Sequence, residues 1–285
     1  MILVSGATGT IGRPLVRLLS AAGVPFTALV RRAEQGRELG CPHVIGDFDR
    51  PASLPAAFAG ADRLFLTGAG AVPADGEQPM VRQQLAAITA ARDAGVEAVV
   101  KVSVWRAREG ARLAEGAHAT IERALDKSGL AWACLQPSGF MQNFRTGAGS
   151  FTEEGDLIGA YGTGRVSYVD TRDIAACAAA LLTAPEPPAG KHVVTGPEAL
   201  DHAEIAAKLT AWSGKPVRYV DLPPDAFAAK LAGQGLPAAF ATDVAALYAE
   251  VAAGALEETT DTVERLTGRR PRTFDEFLSD ERVRS

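Results

Sequence analysis

The chain has 285 residues, 47% of them hydrophobic and 22% charged, with a formal net charge of −5. That balance describes a globular protein able to bury a large core, and it excludes a general nucleic-acid binder, which carries a basic face. No apolar run approaches the ~20 residues needed to cross a bilayer, no signal peptide is expected, and Cys41, Cys134 and Cys177 form no metal-ligand spacing, so a reducing cytoplasm is the expected setting.

The first apolar run, Ile2–Val4, leads into Gly6-Ala-Thr-Gly9-Thr-Ile-Gly12 and then a helical pattern over 12–23. Further strand-like runs lie at 26–30, 44–46, 63–66, 99–102 and 132–135, alternating with helical patterns at 33–39, 52–58, 78–94 and 117–128. Gly23, Gly95 and Gly129 each stand where a helix has to stop before the next strand. This alternation predicts an α/β fold, a Rossmann-type doubly wound parallel sheet with helices on both faces. Past Pro137 the pattern loosens: an apolar run at 157–161, a helix over 170–182, a strand at 192–195, a helix over 201–213, an extended piece at 217–220, and an Ala-rich helical remainder ending at 273–278. The expected organisation is a nucleotide-binding core over 1–150, with 151–285 supplying remaining core elements and a small, mostly helical C-terminal substrate lobe in one continuous unit.

The spacing G-x-x-G-x-x-G at the first strand-to-helix turn is the pattern of a dinucleotide site. Gly6 permits the turn, Gly9 lets backbone approach a pyrophosphate, and Gly12 lets the helix pack close against the sheet; Thr8, Thr10 and Ile11 share the loop, and the helix N-terminus offers N–H groups to phosphate. An NAD-specific site places a carboxylate about 20 residues on. Here that position holds Arg31 and Arg32, and guanidinium groups suit a ribose 2′-phosphate, so NADP(H) is the expected cofactor. Asp47 and Phe48, at the end of the third strand, are placed to flank an adenine, and Thr67-Gly68-Ala69, after the fourth, should pass close to the adenosine ribose or pyrophosphate.

Val4-Ser-Gly-Ala-Thr-Gly-Thr-Ile-Gly12, Val30-Arg-Arg32, Gly46-Asp-Phe48, Leu135-Gln-Pro-Ser-Gly-Phe-Met-Gln-Asn143, Tyr168-Val-Asp-Thr-Arg-Asp-Ile-Ala175 and Thr267-Gly-Arg-Arg-Pro-Arg-Thr-Phe-Asp-Glu-Phe277 together resemble the NmrA-like family of atypical short-chain dehydrogenases/reductases, nearly end to end. That resemblance implies NADPH-dependent quinone reductases, triphenylmethane dye reductases, isoflavone-reductase-like enzymes and natural-product reductases as kin, together with NmrA regulators that bind dinucleotide without turning it over. It also implies that the helix after the fifth strand presents a His or Lys to the nicotinamide ribose, a place His118 fills at the expected helix start, and that the segment from Pro137 covers the nicotinamide.

Ordinary short-chain dehydrogenases protonate a carbonyl with a Tyr followed four residues later by Lys. None of Tyr161, Tyr168, Tyr219 and Tyr248 has that partner. Ser103, closing the fifth strand at the ligand-bearing edge, and His118 are the candidate catalytic residues; Lys101, inside that strand, either snorkels or faces the cofactor. Trp105, Phe140, Met141, Asn143 and Phe144 are the candidate substrate walls, apolar with one amide, suiting a flat conjugated molecule. Asp170 and Asp173 read as a helix cap with capping-box-like spacing. The expected function is hydride transfer from NADPH to a quinone-like, enone or imine acceptor without the Tyr–Lys pair, the proton coming from solvent. The alternatives are a non-catalytic NADP(H) sensor with a protein partner, or an isomerase or dehydratase using bound nucleotide. A small-molecule substrate is expected, with no membrane or nucleic-acid partner; a homodimer is compatible with the chain.

Overall fold

The computed structural model describes residues 1–74, 76–146 and 151–282. The strands are β1 (Ile2–Val4), β2 (Phe26–Val30), β3 (His43–Ile45), β4 (Arg63–Leu66), β5 (Ala98–Val102), β6 (Ala131–Pro137), β7 (Leu157–Gly159), β8 (Gly190–Val194) and β9 (Tyr219–Asp221). Seven of them form one sheet in the order β3-β2-β1-β4-β5-β6-β8, every pair parallel. The order reverses between β1 and β4, so the sheet has the doubly wound switch point where such folds open a crevice.

The central strands are mostly apolar because both faces are covered. Ile2, Val4, Ala28, Val30 and Val100 face a layer that includes α1 (Gly12–Ala21), α7 (Thr171–Thr183) and α11 (Thr262–Thr267). Leu3, Leu29, Leu64, Leu66 and Val99 face α3 (Leu54–Phe58), α4 (Pro79–Asp93) and α5 (Leu113–Asp126). A further helix, α2 (Ala33–Leu39), lies against β2 and β3. One-residue alternation of side chains thus feeds two separate cores.

The second half returns α7, β8 and α11 to the sheet and builds the rest as a lobe. This holds α6 (Asn143–Thr146), the parallel pair β7–β9, α8 (His202–Ser213), α9 (Pro224–Gly233), α10 (Ala238–Ala252) and α12 (Phe274–Arg282). Its core gathers Met141, Phe144, Leu157, Ile205, Leu209, Val251, Phe274 and Phe277. Three of the four tyrosines surround His202: Tyr161 stacks on its ring at 3.8 Å, Tyr219 lies 5.2 Å away, and the Tyr168 hydroxyl is 3.2 Å from its Nε2; Tyr248 stacks on Tyr161 at 4.0 Å.

Several boundaries differ from the sequence reading. The helix expected from 117 begins at Leu113, because Arg112 precedes it in extended conformation with no side-chain cap to mark the start. His118 therefore sits in the second turn. The eighth strand runs 190–194 and the ninth 219–221, set by pairing with β6 and β7. The boundary placed at 150 lies outside the described residues. Arg106 (φ 65°), between β5 and α5, and Leu113 (φ 49°), the first residue of α5, hold left-handed backbone. That loop is tied to α10 by charge: Arg106 to Glu250 at 2.8 Å, Arg108 to Glu250 at 3.0 Å and Arg112 to Asp243 at 2.9 Å.

Asp170 anchors the lobe to the sheet. Fully buried, it caps α7 by accepting from Arg172 N at 2.9 Å, and it also accepts from Gln142 Nε2 at 2.7 Å and Arg272 Nε at 2.9 Å. Asp173 does not close a box; its Oδ2 accepts from Arg272 N. Asp170→Ala leaves a guanidinium, an amide and a helix N-terminus without their acceptor. The expected cost is about 3 kcal/mol of unfolding free energy, read as a lowered denaturant midpoint; an unchanged midpoint contradicts the anchoring role.

Candidate functional site

A cleft of about 510 Å³ opens at the carboxyl ends of β1, β2, β4 and β5. Its floor is the first loop. Gly6 holds φ 57°, and the space beside it is taken by Thr67. A Cβ on Gly12 would collide with the Gly6 carbonyl oxygen and lie 2.7 Å from Ala7 Cα. The third glycine thus lets α1 close on the loop's own backbone rather than on the sheet, as its spacing alone suggested. Ser5 locks the loop to β4: its Oγ donates to Thr67 O at 3.1 Å and accepts from Thr67 N at 2.9 Å. No side chain caps the N-terminus of α1; its second residue, Arg13, donates its N–H to Gly9 O in the loop at 3.0 Å, and Pro14 after it carries none.

Of the residues expected to hold a dinucleotide, Gly6, Thr8, Gly9, Thr10, Ile11, Gly12, Arg31, Asp47, Phe48, Thr67, Gly68, Ser103 and His118 line the cleft. Arg32 and Pro137 are not in its lining; Arg32 precedes α2, exposed, and Pro137 is buried at the end of β6. Of the substrate candidates, Phe140 lines the cleft. Met141 and Phe144 are buried in the lobe core, Phe144 edge-on to Tyr168 at 4.9 Å and to Phe274 at 5.4 Å. Trp105 and Asn143 are half-buried outside the lining.

The sequence reading missed Gln35, Asp49 and Gln83, all in the lining. Gln35 Oε1 accepts from both Arg31 N and Arg32 N at 3.1 Å, fixing the backbone that carries the guanidinium. Its place three residues into α2 was the available signal. Asp49 accepts from Arg82 at 2.7 Å and Gln83 at 2.9 Å, and the Arg82 hydrogen bond holds its carboxyl below the usual range. Because the pairing joins the β3–α3 turn to α4, neither residue announces it locally.

At the other end of the cleft a buried polar group sits beneath His118 and Ser103. Lys101 is wholly buried, neither snorkelling nor lining the cleft. Its Nζ donates to Val102 O at 2.9 Å and to His118 Nδ1 at 2.6 Å. Burial, with the Lys101 charge beside it, pulls the His118 pKa down to about 2. The ring is therefore neutral, and an Nδ1 that accepts places the proton on Nε2. His118 can donate a hydrogen bond; it cannot serve as an imidazolium acid at neutral pH. One turn on, Glu122 is buried, accepting from Ser103 Oγ and from Gln136 Nε2 at 2.8 Å through Oε1, with Lys191 Nζ 2.7 Å from Oε2. No tyrosine is among the described residues that line the cleft.

The NmrA-like family matches residues 1–278. An NAD(P)H azoreductase of Xenophilus azovorans is 41% identical over 286 residues, covering 97% of this chain and 96% of that protein. An NADPH-dependent quinone oxidoreductase of Escherichia coli, solved with NADPH, superposes with a TM-score of 0.85 at 28% identity, covering 99% of each chain. Triphenylmethane reductase of Citrobacter sp., solved with NADP(H), superposes with a TM-score of 0.82 at 26% identity, covering 98% of this chain and 99% of that one.

Desolvation of Lys101 lowers its amine pKa from 10.5 to about 8. Between those values the unfolded chain binds the extra proton, so this group makes stability rise with pH across that window, and its burial cost is full below it. The denaturant midpoint of the native chain, relative to that of Lys101→Met, should climb from pH 8 to 10.5. Parallel curves mean that Lys101 is not buried as described.

Proposed function

The chain belongs to the NmrA-like family, and from that premise we propose that it is an NADPH-dependent reductase of small conjugated acceptors, quinones and azo compounds foremost. The observation that carries the reading is the cleft itself: a Gly6–Gly12 cradle that a Cβ at Gly12 would close, with the Arg31 guanidinium at the far end of the same lining. That donor set fits a diphosphate at the α1 N-terminus and a 2′-phosphate on Arg31. The names of the azoreductase and quinone oxidoreductase relatives support the acceptor class.

The bound nicotinamide supplies hydride; the protein supplies position and electrostatics. Gln35 holds the Arg31 backbone in place. Asp47 and Phe48 flank the adenine. His118, fixed as the Nε2–H tautomer by Lys101, donates to a ribose hydroxyl and so sets the depth of the nicotinamide. Phe140 walls the acceptor space, and apolar surroundings exclude water from the contact between donor and acceptor.

Calorimetry and acceptor assays test this. Arg31→Ala should weaken NADPH binding by about tenfold or more, the worth of a charge-assisted hydrogen bond, with NADH affinity unchanged; equal losses for both nucleotides place the 2′-phosphate elsewhere. NADPH consumption with a quinone and an azo-dye panel supports the reductase. Binding without consumption, with equal affinity for the oxidised and reduced forms, favours a sensor.

A further inference from the structure

We propose that Ser103, Glu122 and Lys191 form a proton relay running from the cleft to solvent, an inference that deepens the reductase reading and rests on it. Hydride added to a quinone carbon or an azo nitrogen pushes an electron pair onto the neighbouring oxygen or nitrogen. That atom must then be protonated, and among the described residues neither a tyrosine in the cleft lining nor an imidazolium at His118 is there to do it.

Close contacts join the three side chains in a line from the cleft to solvent. Ser103 lines the cleft, and its hydroxyl donates to Glu122 Oε1. Glu122 lies on α5 four residues after His118, so both sit on one helix face, and its side chain is 4% exposed. Its second oxygen is 2.7 Å from Lys191 Nζ, on β8, and the Lys191 side chain is 50% exposed. A carboxylate buried this deeply for structural reasons alone is costly unless fully paired. Here its pairing links a cleft hydroxyl on one side to a solvent-bathed ammonium on the other. Gln136 Nε2 donates to the same Oε1 at 2.8 Å.

The step balances. The Ser103 hydroxyl turns from Glu122 towards the cleft, and the anion left on the acceptor after hydride addition from reduced nicotinamide takes its proton. Ser103 Oγ takes a proton from Glu122, which has received one from the Lys191 ammonium; half a turn of the carboxyl exchanges its two oxygens. Lys191, now a neutral amine, is recharged by solvent. The acceptor gains one hydride and one proton, and the three side chains end as they began.

Lysine and arginine separate relay from scaffold, because arginine keeps the ion pair but does not give up its proton. Single-turnover reduction of a quinone by the NADPH-loaded protein is measured for Lys191→Met, Lys191→Arg and Glu122→Gln. The relay predicts that Lys191→Met and Lys191→Arg are slowed alike, by about tenfold or more, and that added methylamine restores Lys191→Met. A wild-type rate in Lys191→Arg beside a slow Lys191→Met overturns it, as do wild-type rates in both. A second readout needs no turnover. Glu122 holds the Lys191 pKa above its ordinary value, chiefly through their hydrogen bond, so NMR titration of the lysine side chains in the free protein should show that pKa fall in Glu122→Gln. An unmoved pKa means that the two groups are not joined in solution, and overturns the relay. If the unaltered protein consumes no NADPH with any acceptor, the reductase reading falls with the relay, before any variant is compared.

Discussion

The packing of Gly12 against the Gly6 carbonyl is the constraint on which the site depends. It draws the N-terminus of α1 down onto the loop that leaves β1, while the Ser5–Thr67 hydrogen bonds hold that loop to the end of β4. The two contacts span the switch point of the sheet, where adjacent strands send their chains to opposite faces. A crevice results whose floor is backbone rather than side chain. Any larger residue at position 12 lifts the helix, and the anion-binding geometry goes with it.

The core half of the molecule was legible because its signals are local. Apolar runs, stop-glycines and the glycine spacing of residues 6–12 lie within a few residues of the elements they specify, and most of the expected cofactor residues line one cleft. What escaped was non-local. Asp49 acquires its place from Arg82 and Gln83 on α4, more than thirty residues away. Met141 and Phe144 look like pocket walls in a short motif, yet the lobe claims them through Phe274, a partner at the far end of the chain. Lys101 shows neither of the two fates weighed for it, since its partner His118 arrives from a helix on the adjoining layer. Sequence spacing reveals what a residue can do; packing against distant elements decides which way it turns.

The polar group under the cleft gathers a lysine, a histidine, a glutamate and a serine in space that the surrounding strands fill with valine and leucine. Such groups are tolerated inside only when each donor meets an acceptor. Here the pairing sets the charge state as well: a neutral ring at His118 beside a buried amine at Lys101. The helix α5 carries His118 and Glu122 one turn apart, so a single element positions one side chain that faces the cleft and another that lies behind it.

The loop that leaves Ser103 is fastened in a different manner. Its grip on α10 is made of arginine–carboxylate pairs at Glu250 and Asp243, on side chains still open to water. Dissolved ions weaken such attractions while leaving apolar burial untouched. This loop is thus moored by forces that the medium can tune, while the apolar core beneath it is not.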